Sequence, residues 1–86
     1  KKRIPTDELN NTLLDEIKLT PPPTTSTGKE VKIKFINQVG TKYPVFLFFS
    51  NYPKNITESY KRFLEKLIRK HFGFCGVPFT LSFKEK

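Results

Sequence analysis

The chain has 86 residues, with 16 basic and 8 acidic side chains for a formal charge of +8, one cysteine, one histidine, and neither tryptophan nor methionine. A chain of this length makes one small domain that buries about 60 to 65% of the surface its unfolded form exposes, which excludes a cleft walled by two domains. A lone cysteine and a lone histidine exclude an internal disulfide, a Cys-rich zinc site and a two-histidine metal motif.

The first predicted element follows Pro5. Thr6 reads as a cap residue, and Asp7 and Glu8 as first-turn acids suited to the positive end of a helix dipole. Leu9, Leu13 and Ile17 recur at spacing four with Leu14 beside them, so the spacing predicts an amphipathic helix of about three turns. Pro21-Pro22-Pro23 stops it, because proline has no amide donor and disfavours helical geometry in the residue before it. The stretch 21–28 (PPPTTSTG) has no charge and no aliphatic residue, and reads as an exposed connection from helix to sheet.

From Glu30 the period becomes two. Val31, Ile33 and Phe35 alternate with Lys32 and Lys34, the pattern of a half-buried strand, and turn signals fill 37–44 (NQVGTKYP). Val45 to Phe49 (VFLFF) is an unbroken apolar run too short for a buried helix, which predicts a central strand apolar on both faces. The strongest periodicity follows. Tyr60, Phe63, Leu64, Leu67, Ile68 and Phe72 fall at intervals of three and four, and Asn55 stands at capping-box spacing before Glu58, so a helix is predicted over 58–72. Its opposite arc gathers Lys61, Arg62, Glu65, Lys66, Arg69 and Lys70, five bases against one acid. A solvated helix face carries the same pattern, and the closing bases also suit the negative end of the dipole.

Gly73 is expected to close that helix. Val77, Phe79, Leu81 and Phe83 then alternate with Pro78, Thr80 and Ser82, predicting a last strand with Pro78 near its start or at an edge. The order is helix, strand, strand, helix, strand, and the helical crossover makes the second and third strands parallel. The predicted class is α+β, a three-stranded mixed sheet with two helices on one face.

The charge is uneven. Lys1, Lys2, Arg3 and Lys18 cancel Asp7, Glu8, Asp15 and Glu16, leaving twelve bases against four acids after residue 28. Such an imbalance attracts polyanions, of which RNA and DNA are the commonest in a cell. There is no run of 18 apolar residues, and Lys1-Lys2-Arg3-Ile4-Pro5 leads into no apolar stretch, so neither a membrane span nor a signal peptide is expected and the cytoplasm is the expected compartment. The absence of methionine suggests a piece of a longer chain.

Catalytic motifs fail. There is no phosphate-binding Gly-x-x-x-x-Gly-Lys-Ser/Thr loop and no nucleophile with a histidine and an acid to orient it. His71 lies near the apolar stripe of its helix and reads as a core-edge or helix-capping residue; Cys75 reads as a small buried apolar residue; Asp7, Glu8, Asp15 and Glu16 read as capping and solubility charges. Gly73-Phe74-Cys75-Gly76 is formally the Gly-x-x-Gly by which KH modules clamp single-stranded RNA, but a working clamp generally holds a basic residue at an x position, and both here are apolar.

Several separated blocks, in order, carry a resemblance. Arg3-Ile4-Pro5-Thr6 leading into Leu9-Asn10, Pro21-Pro22-Pro23, Gln38-Val39-Gly40-Thr41 with Pro44, Asn51-x-Pro53, Glu58 to Glu65 (ESYKRFLE), and Phe72-Gly73-Phe74-x-Gly76-x-Pro78 make the chain similar to the C-terminal KH-like domain of the Der (EngA) double-Era-like bacterial GTPases. The resemblance runs from about Arg3 to Phe83. It implies a single KH-like domain over 1–86, a non-catalytic fragment of a tandem-GTPase protein that acts in assembly of the large ribosomal subunit. It implies no cofactor in this fragment, with GTP or GDP and magnesium bound in the parent's GTPase domains. The implied partners are ribosomal RNA and those GTPase domains, on one of which the sheet side of this domain would rest, and the isolated fragment is expected to be monomeric. In that family the domain lacks the usual clamp, so the Gly73 to Gly76 string is not promoted.

The residues add candidate surfaces to that picture. Phosphate contact is expected from Lys61, Arg62, Lys66, Arg69 and Lys70 on the helix and from Lys32 and Lys34 on the first strand. Whichever face of Val45 to Phe49 meets the helices, the other keeps either Phe46 and Phe48 or Val45, Leu47 and Phe49 outside. Phe46 and Phe48 are the residues expected to dock on a neighbouring domain. An outward apolar face with flanking lysines also fits an aromatic platform for single-stranded RNA, and Tyr43 and Tyr52 folding over it would merely enlarge the core.

Overall fold

The computed structural model describes residues 3–86. Helix α1 (Thr6–Leu19) is followed by β1 (Ile33–Val39), β2 (Val45–Ser50), a 3-10 turn (Pro53–Asn55), helix α2 (Glu58–Phe72) and β3 (Thr80–Glu85). The doubly apolar β2 is central, antiparallel to β1 and parallel to β3. Both the element order and the mixed sheet agree with the sequence expectation.

Helix α1 buries Leu9, Leu13 and Ile17, and at 14 residues it is nearly a turn longer than the spacing implied. Thr6 is its first helical residue and not a cap: the boundary is Pro5, whose carbonyl accepts from the Leu9 amide at 2.9 Å. The start of α2 also differs from expectation. Pro53 begins a 3-10 turn that takes up Asn55, so the cap passes to Thr57, whose hydroxyl accepts from the Tyr60 amide at 3.2 Å. Gly73 closes α2 at φ 87°, a region that a side chain rarely occupies, with its amide on the Arg69 carbonyl.

Strand β1 departs most from its reading. The register slips between Ile33 and Phe35, a bulge at Lys34 that turns Lys34 and Phe35 outward and leaves Ile36 and Gln38 to continue the buried row. The strand then runs through Asn37 to Val39, where turn residues were expected. Gln38 is buried there because its amide is satisfied: Oε1 accepts from the Ile4 amide and Nε2 donates to the Gly40 carbonyl, both at 2.9 Å. Strand β3 starts at Thr80, later than the alternation suggested. Pro78 supplies no ladder donor, and Val77 is exposed.

The pleat decides which face of β2 is buried. Phe46 and Phe48 point to the helices and are 0% exposed, which overturns their expected docking role. Five rings close over this side: Phe46 lies edge-on to Phe74 and Phe79 at 5.7 and 5.3 Å, and Phe48 stacks on Phe83 at 5.2 Å. Ile36, Leu64 and Ile68 complete the centre of the core, each fully buried. The outer edge of β1 is closed by a side chain. Asn10 accepts from the Ile36 amide at 2.7 Å and donates to the Ile36 carbonyl at 2.8 Å, replacing a neighbouring strand there. A second amide, Asn51, accepts from the Lys32 amide and donates to the Glu30 carbonyl, tying the approach of β1 to the end of β2.

Candidate nucleic-acid interface

The cations expected to act together on α2 are placed in different circumstances. Arg69 is structural. Its Nη1 donates to the Phe74 carbonyl at 2.7 Å and more weakly to that of Val77, its guanidinium lies 4.4 Å from the centre of the Phe79 ring, and Nη2 meets Glu65 at 3.4 Å. Lys61 bridges Glu58 at 3.5 Å and lies 5.2 Å from the centre of the Phe83 ring. Lys70 approaches Glu16 at 3.9 Å. Arg62 and Lys66 are exposed and make no ion pair among the described residues.

The other single-residue readings change as well. His71 is not at the core edge: it reaches across to α1 and meets Glu16 Oε2 at 2.8 Å, which gives that acid a structural partner. Cys75 is exposed, because Phe74 at φ 61° turns its own ring inward and sends the next side chain out. The Gly73 to Gly76 loop aims its Phe74 carbonyl at a cation, Arg69, the reverse of a loop that gathers amides around a phosphate. Tyr60, whose hydroxyl donates to the Thr20 carbonyl at 2.6 Å, holds the start of α2 to the end of α1, and burial pushes its phenol up to about 12. Periodicity placed Tyr60 in the core but held no signal for this bond.

Lys32 and Lys34 both line a groove of about 420 Å³ between α1 and the start of β1, with Leu14, Ile17 and Val31 among its apolar walls. Lys32 pairs with Glu30 at 3.9 Å. Lys34 reaches the main-chain oxygen of Lys86 at 3.2 Å and so spans from β1 to the residue after β3.

The side of the sheet away from the helices forms three rows. Register pairs Phe35 with Phe49 and Lys84, Asn37 with Leu47 and Ser82, and Val39 with Val45 and Thr80. Phe35 and Val39 are exposed, and Val45, Leu47 and Phe49 are half-buried. Tyr43 does not fold over this side and is 69% exposed, while Tyr52 packs against the core.

Among the described residues no helix is long and apolar enough to cross a membrane, and no three His, Cys, Asp or Glu side chains could hold a metal ion. Fold and surfaces together define a small α+β module of the KH-like class that presents a partly neutralised basic helix face and an uncovered apolar sheet face. Residues 3–84 match the family described as the KH-domain-like C-terminal domain of EngA bacterial GTPase enzymes, and the chain belongs to that family. It is 49% identical to GTPase Der of Chloroherpeton thalassium over its whole length and 20% of that protein, and 52% identical to GTPase Der of Cytophaga hutchinsonii over 99% of this chain and 19% of that one. GTPase Der of Porphyromonas gingivalis is 50% identical over 98% of this chain and 19% of its own length. The chain therefore spans about a fifth of the length of the curated relatives it matches.

Proposed function

We propose that the chain is the non-catalytic KH-like module of a ribosome-assembly GTPase, contacting ribosomal RNA of the large subunit and docking on GTPase domains of its own chain. The observation that carries this reading is the placement of two unsatisfied surfaces on different sides of the molecule. Among the described residues Arg62 and Lys66 make no ion pair on α2, while Val39 is exposed and Val45 and Leu47 half-buried on the open sheet face. A small domain left alone seldom exposes such an apolar group, and a second domain seated on it would remove the exposure. The docking role expected of Phe46 and Phe48 falls to these residues instead. GTP or GDP and magnesium would bind in the GTPase domains, outside this module.

The test uses the full-length parent. Arg62→Glu with Lys66→Glu is expected to weaken cosedimentation with the large subunit, more at moderate than at low salt, with folding unchanged. Unaltered association would remove the helix face from the account. That result would favour a purely intramolecular regulatory domain, the alternative that the engagement of Lys61, Arg69 and Lys70 with internal partners supports. Leu47→Glu is expected to change the nucleotide-dependent domain arrangement seen by solution scattering.

A further inference from the structure

We propose that the corner of the open sheet face built from Phe35 and Phe49, with Lys34, Lys84 and Lys86 around it, is a stacking platform for the bases of single-stranded RNA. The proposal rests on the RNA-contact reading above and assigns it a surface. The bulge at Lys34 creates the corner, because without the extra residue Phe35 would share the buried row with Ile33. The two rings instead sit side by side across the β1–β2 pair, their centres 6.2 Å apart. Phe35 is 39% exposed.

Charge identifies the occupant. Lys84 follows Phe49 in the same row, the Lys86 ammonium lies 5.9 Å from the centre of the Phe49 ring, and Lys34 donates to the main-chain oxygen of Lys86. The three rows of the open face hold aromatic, aliphatic, amide, hydroxyl and lysine side chains and no carboxylate. Glu85 falls in register with Ser50, on the opposite parity, and Glu30 is paired with Lys32. A protein partner with a matching apolar patch has no need of three lysines around two phenyl rings. A single-stranded polynucleotide supplies both complements, since bases stack on exposed rings whatever their sequence and phosphates follow the cations. Duplex RNA offers no unstacked base, so single strands are expected to be preferred.

The experiment is fluorescence anisotropy of a labelled single-stranded oligouridylate titrated with the 86-residue chain at several salt concentrations. Phe35→Ala with Phe49→Ala is expected to lower affinity by roughly tenfold or more. Lys34→Gln, Lys84→Gln and Lys86→Gln together should make the logarithmic salt slope shallower by about 2, from roughly 0.7 per phosphate contact. Arg62→Gln with Lys66→Gln should weaken oligouridylate binding less than the ring variant does, through the loss of two phosphate contacts alone. Should the helix pair abolish binding while the sheet variants retain it, RNA contact stands and this corner is not its site. Absence of saturable binding by the unaltered chain overturns the platform whatever the subunit association shows. A sheet variant that disturbs domain arrangement in the full-length protein but not RNA binding overturns it too, and makes the corner part of the docking face. A second measurement needs no substitution: ring-proton resonances of Phe35 and Phe49 should move upfield on titration with RNA, and unmoved resonances in a saturated complex would rule stacking out.

Discussion

On α2, Lys61, Arg69 and Lys70 lean on Glu58, Glu65 and Glu16 and on the rings of Phe83 and Phe79, whereas on the open sheet face Lys34, Lys84 and Lys86 surround two phenyl rings with no carboxylate in the same rows. The helix has more bases, but three of its five meet side-chain carboxylates, whereas none of the corner's three does among the described residues. A base that points toward solvent on a helical wheel still reaches several ångströms along its own stem, so counting charges on an arc overstates the field that a ligand meets. The sheet corner reads weaker in sequence because Lys34 lies far along the chain from Lys84 and Lys86, and strand pairing brings them together.

The largest expected effect separates the two sides of the central strand. Phe48→Ala should cost about 3 to 5 kcal/mol by urea denaturation, since it opens a cavity beside the stacked Phe83 ring, while Leu47→Ala one residue away should cost well under that. Equal losses would mean that the open face is part of the core. Next in size is Arg69→Gln, expected to destabilise the fold by about 1.5 to 3 kcal/mol through loss of the charged bond to the Phe74 carbonyl, with any effect on subunit association following from unfolding. Full stability would return Arg69 to the set of free cations.

Smaller is the effect of Arg62→Glu or Lys66→Glu on stability, within about 0.5 kcal/mol each, although both should weaken association with the large subunit. A stability loss as large as that at Arg69 would erase the contrast within the helix face. The smallest effect lies where the basic helix meets the proline-rich connection. A tyrosinate absorbance titration should contain a component near pH 12 that Tyr60→Phe removes. Because the folded phenol is raised to about 12 from an ordinary 10.0, its contribution to stability is complete below about pH 10 and is lost as pH rises toward 12.

The elements themselves were largely legible. Spacing of three and four in 58–72, alternation in 77–83 and the unbroken VFLFF run depend on local periodicity, and periodicity is a property of neighbours in sequence. What misled was local chemistry overridden at a distance. Asn37 and Gln38 look like turn residues until the Ile4 amide and Gly40 carbonyl give the Gln38 side chain a buried role. Asn10 shows no sequence sign of its bonds to Ile36, twenty-six residues away. Cys75 looked buried for want of charged neighbours, and a positive φ at Phe74 exchanged the two side chains.

By itself the sequence determined the class of fold, the centrality of the second strand and the concentration of positive charge after residue 28, because hydrophobic period and composition are set residue by residue. Tertiary structure alone decided which face of VFLFF is open and which cations are free. One bulged residue reverses the parity of β1, and an ion pair or a ring beneath an ammonium depends on elements that only folding brings together.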